Sequence, residues 1–147
     1  MQVKFYYKDG VKSLQYQTNG SSGIDIAANE DITLFAGCTS VISTGVFCII
    51  PYHYEGQVRS RSGFACKGLF VANSPGTLDS DYRGEIKVIL YNSNKYDYIV
   101  RKGDRIAQLV FAPIVKPEIV IFNDFDEWSE ESVTLRGSGG LGSTGYN

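Results

Sequence analysis

The chain has little of what ordinarily carries enzyme chemistry. Its 147 residues include one histidine, His53, one tryptophan, Trp128, and three cysteines. A multi-histidine metal centre is therefore excluded. Any Ser-His-Asp triad has to use His53, which sits in "PYHYEG" and reads more simply as a turn or surface histidine. Cys38, Cys48 and Cys66 are odd in number and widely spaced, matching no disulfide framework and no zinc pattern. They read as three buried or half-buried thiols in a reducing compartment. The longest apolar runs, such as "VFCII" (46–50), are far too short to cross a bilayer, and "MQVKFYYKDG" lacks the apolar run of a signal peptide. A cytoplasmic setting is expected, with a nuclear or viral-host one also compatible. The formal net charge of −2 argues against charge-driven nucleic-acid binding. Neither nucleic acid nor membrane is an expected partner. Carboxylates, arginines and backbone groups remain to do any chemistry.

What is abundant is the material of short β-strands. "ITLF" (32–35), "SVISTGVFCII" (40–50), "EIKVILYN" (85–92), "YDYIV" (96–100), "RIAQLVFAPI" (105–114) and "EIVIF" (118–122) are rich in β-branched and aromatic residues. In the third of these, Ile86, Val88 and Leu90 share one face. Glycines and Asn/Asp pairs punctuate the segments, at 8–10, 91–97 and 101–104. Many short strands with regular turn signals predict an all-β sandwich, jelly roll or barrel. No helix of ordinary length is expected, at most a short turn after Arg61-Ser62-Gly63. The segment "NDFDEWSEESVTL" (123–135) holds five acidic residues and no basic one. It reads as a solvated arm anchored by aromatics, or as an arm that reaches a neighbouring subunit. The expected organisation is a body over 1–122, an acidic arm over 123–135 and a glycine-rich end over 136–147.

Several polar clusters stand out. In "VANSPGTLDSDYRGEIKV" (71–88), Asp79 and Asp81 bracket a serine beside Tyr82 and Arg83. Paired acids suit general-base work or metal binding, although an Asp-Ser-Asp turn capped by its own side chains is the commoner meaning of such a piece. "VRSRSGFA" (58–65) offers Arg59, Arg61, Ser62 and Gly63, a combination of guanidinium, hydroxyl and amide that suits a phosphate. "RKGDRIAQLVF" (101–111) adds Asp104, Arg105 and Gln108 at the mouth of a strand. The end of the chain adds Arg136, glycine amides, Ser143 and Thr144, without the lysine and helix of a P-loop. No single piece is specific. Together they point to a polyphosphate with a metal ion.

In order and combination these pieces resemble the five motifs of the trimeric-type dUTPases, the deoxyuridine 5′-triphosphate nucleotidohydrolases. They are "SSGIDIAA" (21–28), "SRSG" (60–63), "GTLDSDYRG" (76–84), "KGDRIAQL" (102–109) and "RGSGGLGSTG" (136–145). The resemblance implies a jelly-roll-like β fold and a homotrimer with an exchanged C-terminal arm. It implies active sites built from all three chains: the first, second and fourth motifs from one, the third from another, the tail from the last. The implied reaction is dUTP and water to dUMP and pyrophosphate with Mg2+ on the triphosphate. That activity keeps uracil out of DNA and supplies dUMP for dTMP synthesis.

By the same resemblance Asp79 is the general base that aims water at the α-phosphorus. Tyr82 packs on the deoxyribose and leaves no room for a 2′-hydroxyl. Asn73 and the backbone from Gly76 to Leu78 read the uracil. Asp25 helps organise magnesium, through bound water. Arg61, Ser62, Gly63 and Gln108 contact phosphates. Arg136, Gly140, Leu141, Gly142, Ser143 and Thr144 form the tail lid. Asp104 and Arg105 could contact ligand or form a structural ion pair. Two residues depart from the family pattern. Ser60 stands where the second motif usually begins with proline, and Leu141 stands where the tail usually places an aromatic over the base. A base stacked on an aromatic gains roughly 1–3 kcal/mol, of which leucine retains part through apolar contact.

Two other functions fit parts of this pattern. A dCTP deaminase shares the fold and the triphosphate grip, but it needs a glutamate as proton shuttle where this chain has Ile89. A nucleotide-binding regulator without turnover would be expected to lose Asp79 or the phosphate arginines, and this chain keeps them.

Overall fold

Alternating burial builds most of the chain. The computed structural model describes residues 1–140 and divides into two units, Met1–Val115 and Lys116–Asn147. The first unit contains all the strands found among the described residues: β1 (Lys4–Tyr7), β2 (Ile24–Ala27), β3 (Ile32–Leu34), β4 (Thr39–Ser43), β5 (Val46–Ile49), β6 (Tyr54–Arg59), β7 (Leu69–Val71), β8 (Gly76–Leu78), β9 (Lys87–Asn92), β10 (Tyr98–Val100) and β11 (Arg105–Pro113). They pair antiparallel throughout, as β1-β5, β10-β3, β2-β11-β6-β8 and β4-β9-β7. The sheets close around one apolar core that includes Ile26, Leu34, Ile42, Leu69, Leu90, Ile106 and Leu109. This is the all-β, jelly-roll-like architecture expected. As the alternation predicts, Ile86, Val88 and Leu90 are fully buried while Lys87 is exposed.

The expected strand over 40–50 is instead two strands in different sheets. Gly45 is the reason, because its φ of 69° turns the chain where a side chain would be strained. β4 then joins β9, and β5 joins β1. Two of the three thiols also differ from expectation: Cys48 is buried, but Cys38 and Cys66 are exposed. Cys38 follows the turn at Ala36-Gly37, and Cys66 is the C-cap of the one-turn helix α1 (Ser62–Ala65). His53 lies in a turn with φ 70°, as the simpler reading had it. Buried Asn92 is the main polar anchor. Its amide donates to the carbonyls of Leu34 and Tyr96, each at 2.9 Å, and its oxygen accepts from the Asn94 amide at 3.0 Å.

The described part of the second unit, residues 116–140, holds no strand. The expected strand over 118–122 has no hydrogen-bonding partner among the described residues. Ile119, Val120 and Ile121 are 83%, 73% and 73% exposed. A strand-prone sequence cannot form a strand without a neighbour to accept its ladder. The acidic arm, by contrast, forms the short helix α2 (Phe125–Glu131). The Asp124 carboxylate caps it by accepting from the Asp126 amide at 2.7 Å, and Asp126 and Glu127 favour the positive end of the helix dipole. Phe125 and Trp128 stack one turn apart, with ring centroids 5.5 Å apart. No helix among the described residues is long and apolar enough to cross a membrane.

Candidate active site

The polar motifs gather into two separate clusters in the first unit. The first lies across the centre of the four-stranded sheet. Register places Gln108 of β11 opposite both Asp25 of β2 and Arg59 of β6. Alternation along β2 buries Ile24 and Ile26 and turns Asp25 out to this face. Arg61 caps α1 and reaches back to Asp25: Nε lies 2.7 Å from Oδ1, and Nη2 lies 3.3 Å from Oδ2. Arg105 Nη1 approaches the same Oδ2 at 3.0 Å, and Arg61 Nη1 donates to the Arg105 carbonyl at 2.7 Å. One largely buried carboxylate thus orients two guanidiniums. Asp104 does not pair with Arg105; its carboxylate accepts from the Arg101 amide at 2.9 Å and shapes the 101–104 turn.

Beside this cluster, Ser62 and Gly63 open α1, and the amides of a helix's first turn have no intrahelical acceptor. Gln108 Nε2 donates to the Ser60 carbonyl at 2.8 Å. Ser60 also uses groups that proline or an apolar residue would lack. Its hydroxyl accepts from the Val71 amide at 2.9 Å, and its own amide donates to the Ser74 hydroxyl at 3.4 Å.

The second cluster follows β8. Gly76 and Leu78 lie on this edge strand, whose backbone pairs with β6 on one side only. Asn73 sits just before it, with its amide group packed on Gly76. Asp79 follows β8 and is exposed, and its carboxylate has no partner among the described residues. The Tyr82 amide closes a turn on the Asp79 carbonyl at 3.1 Å. Arg83 clasps the loop by donating to the Ser80 and Tyr82 carbonyls. A cleft of ≈ 220 Å³ results, lined by Thr77, Leu78, Asp79, Tyr82, Lys87 and Ile89 among others.

Glu85 fixes this loop to the body, a role its place at the start of an apolar strand gave no sign of. Its carboxylate accepts from Lys8 Nζ at 2.8 Å, from the Gly45 amide at 2.7 Å, from the Thr44 amide at 3.1 Å and from the Ser43 hydroxyl. Burial alone would raise its pKa. The bonds from Lys8, Ser43 and Gly45 prevail and hold it down at about 2 against an ordinary 4.5. A depressed carboxylate contributes stability that is complete above pH 4.5 and is lost as the pH falls through about 2. Glu85→Gln should therefore lower stability at pH 7 by about 1–2 kcal/mol, allowing for the half-exposed Lys8 partner. It should also flatten the acid limb of the melting curve between pH 4.5 and 2. Thermal melts across that range check both expectations.

Asp79 and Arg61 do not meet among the described residues of the chain, although Ser60 bonds join the first cluster to the segment that holds Asn73. β6 pairs with β8 so that Gly56 faces Leu78 and Val58 faces Gly76. Asp79 leaves beyond the Gly56 end of the pair and Arg61 follows the Arg59 end of β6, roughly 20 Å away by strand spacing. Of the tail residues, Arg136 is exposed and its Nε donates to the Gly139 carbonyl at 2.8 Å, and Gly140 has open space around it. Leu141, Gly142, Ser143 and Thr144 lie outside the described residues.

A family model for dUTPase matches residues 9–145. A deoxyuridine 5′-triphosphate nucleotidohydrolase of Rickettsia akari is 51% identical over 137 residues, covering 89% of this chain and 86% of that protein. One from Brucella melitensis is 43% identical over 148 residues, covering 97% and 90%. Among solved structures, the Staphylococcus bacteriophage 80alpha dUTPase with dUPNHPP superposes with a TM-score of 0.86 at 28% identity, covering 98% of each chain.

Proposed function

Because the chain belongs to the dUTPase family and is a dUTP diphosphatase, we propose that an Asp79-activated water attacks the α-phosphorus, in sites shared between the chains of a homotrimer. The observation that carries the shared site is the separation of Asp79 from Arg61. Two groups that serve one triphosphate are delivered to opposite ends of a single strand pair. A second copy, presenting its Asp79 loop to the Arg61 cluster, brings them together. The unpaired apolar stretch 119–122 supports an exchanged arm, since its exposed side chains and open backbone need a neighbour.

Each residue then has a physical task. The Asp79 carboxylate has no competing partner among the described residues, so it is free to accept a proton from water. The water oxygen bonds to the α-phosphorus as the bond to the pyrophosphate oxygen breaks. Tyr82 lies beside Asp79, and its ring excludes a 2′-hydroxyl. The open edge of β8, from Gly76 to Leu78, offers backbone donors and acceptors to uracil, with Asn73 beside it. Arg61 and Gln108, with Ser62 and Gly63, hold the phosphates, and the Asp25 ion pairs keep Arg61 oriented before substrate arrives.

The donor set fits magnesium carried on the substrate. No group of three or more His, Cys, Asp or Glu occurs among the described residues, so no protein cage exists there. Asp25 alone, among phosphate-binding guanidiniums, suits a cation held through water. Bound there, magnesium would offset the charge of the phosphates. The family's tail motif, headed here by Arg136, is assigned the role of a lid on the triphosphate; Leu141, which the motif assigns to the base, lies outside the described residues.

Ile89 lines the Asp79 cleft and cannot move protons, which disfavours deamination. Pyrophosphate release from dUTP, dCTP, dTTP and UTP, with and without magnesium, tests the whole assignment. Release from dUTP is expected to exceed that from the others by about 100-fold or more and to require magnesium. Ammonia from dCTP, or dUTP binding without pyrophosphate, would overturn it.

A further inference from the structure

Gly84 has no evident backbone reason to be glycine. Its φ is not in the left-handed region, where Gly45 and the other turn glycines lie. A left-handed φ is therefore not what excludes a side chain here. What a side chain could not do is share the space with Tyr82. A Cβ built on Gly84 would lie 2.3 Å from the Tyr82 hydroxyl oxygen, 2.5 Å from Cζ and 2.9 Å from Cε2. These are atoms of a rigid ring rather than the far end of a flexible chain, so the whole ring would have to turn.

The ring is held from its tip as well. The Tyr82 hydroxyl donates to the Glu85 carbonyl at 3.0 Å. Glu85 is itself anchored through its carboxylate to Lys8 and to the Thr44-Gly45 corner. Tyr82 is thus seated on the bare backbone of Gly84 and pinned to a residue that cannot drift. Tyr82 is 44% exposed and lines the cleft with Asp79.

We propose that Gly84 is a positioning residue for sugar selection: it sets the plane of the Tyr82 ring, and so the discrimination of deoxyribo- from ribonucleoside triphosphates. The inference rests on the placement of Tyr82 against the sugar. A Cβ at 84 lifts the ring toward the substrate or swings it aside. Either displacement spoils its fit to the deoxyribose, and the second opens space for a 2′-hydroxyl.

The test compares kcat/KM for dUTP and UTP in the full chain, for the unaltered protein, Gly84→Ala, Tyr82→Ala and the double variant. Gly84→Ala is expected to lower the dUTP-to-UTP ratio at least tenfold and to lower the melting temperature. In the Tyr82→Ala background the same substitution should change neither, because the ring it displaces is gone. If Tyr82→Ala lowers the ratio and Gly84→Ala does not, Gly84 has no part in selection and the Tyr82 assignment stands. If neither changes the ratio, the Tyr82 assignment itself fails. An equal effect of Gly84→Ala with and without the ring would place its action elsewhere and overturn the inference. Should Gly84→Ala not fold, the double variant still decides: folding restored by Tyr82→Ala supports the conflict between ring and Cβ, and continued misfolding refutes it.

Discussion

Asp79→Asn should bind dUTP as the unaltered enzyme does and turn it over about 100 to 10,000 times more slowly. The expectation follows from how little else the substitution touches. Asp79 is exposed and its carboxylate holds no partner among the described residues, so no structural bond is lost. The loop is shaped by the Asp79 carbonyl, which accepts from the Tyr82 amide, and by Arg83, and asparagine preserves both. An amide of the same shape still orients water but cannot take its proton. Binding of a non-hydrolysable imido analogue, measured calorimetrically, should therefore be unchanged while pyrophosphate release collapses. Turnover within a few-fold of the unaltered enzyme would remove Asp79 as the base.

The strands that were legible in the sequence are those whose partners lie in the same unit. β9 and the residue before it show this: the alternation of Ile86, Val88 and Leu90 with polar or half-buried neighbours was readable because one face meets the core. The stretch 118–122 has the same composition and forms no strand. Composition reports the preference for a ladder, not the presence of a neighbour, and none lies among the described residues of the second unit. The break between β4 and β5 turned on one positive φ at Gly45, which an apolar run does not advertise. α2 was missed because its seven residues are too few to display a helical period, although Asp124 ahead of two first-turn acids is a capping signal that could have been used.

The site divides in the same way. Motif order made Asp25, Arg61, Gln108, Asp79 and Tyr82 visible as candidates. Their grouping was not visible, because it depends on register. The Asp25 pairs with Arg61 and Arg105 span 36 and 80 residues of sequence. Glu85 was overlooked altogether, since its partners come from β4, from the Thr44-Gly45 corner and from the N-terminal Lys8. Gly84 could be read only from the space its missing side chain leaves to Tyr82.

Two inactive chains should make an active enzyme. On the proposed reading Asp79→Asn removes the base and Arg61→Ala removes a phosphate contact, so the assembly formed by either variant alone is expected to be nearly silent. The fold should survive the second change, because Asp25 keeps Arg105 as a partner. If each site takes its Asp79 from one chain and its Arg61 from another, a mixed trimer contains one site built from the sound half of each. Random equal mixing makes three-quarters of the trimers mixed, with one of three sites intact, which amounts to about a quarter of full activity. Co-expression of the two variants with different affinity tags, followed by two-step capture, isolates the mixed species for the pyrophosphate assay. The recovered rate should far exceed the sum of the two parents, and kcat per intact site should equal that of the unaltered enzyme. A site contained in one chain gives no such rescue, because every copy would then carry its own defect. Activity no greater than the parents' sum would mean that the β6–β8 register does not divide the site between subunits, and that Asp79 and Arg61 must meet by movement within a single chain.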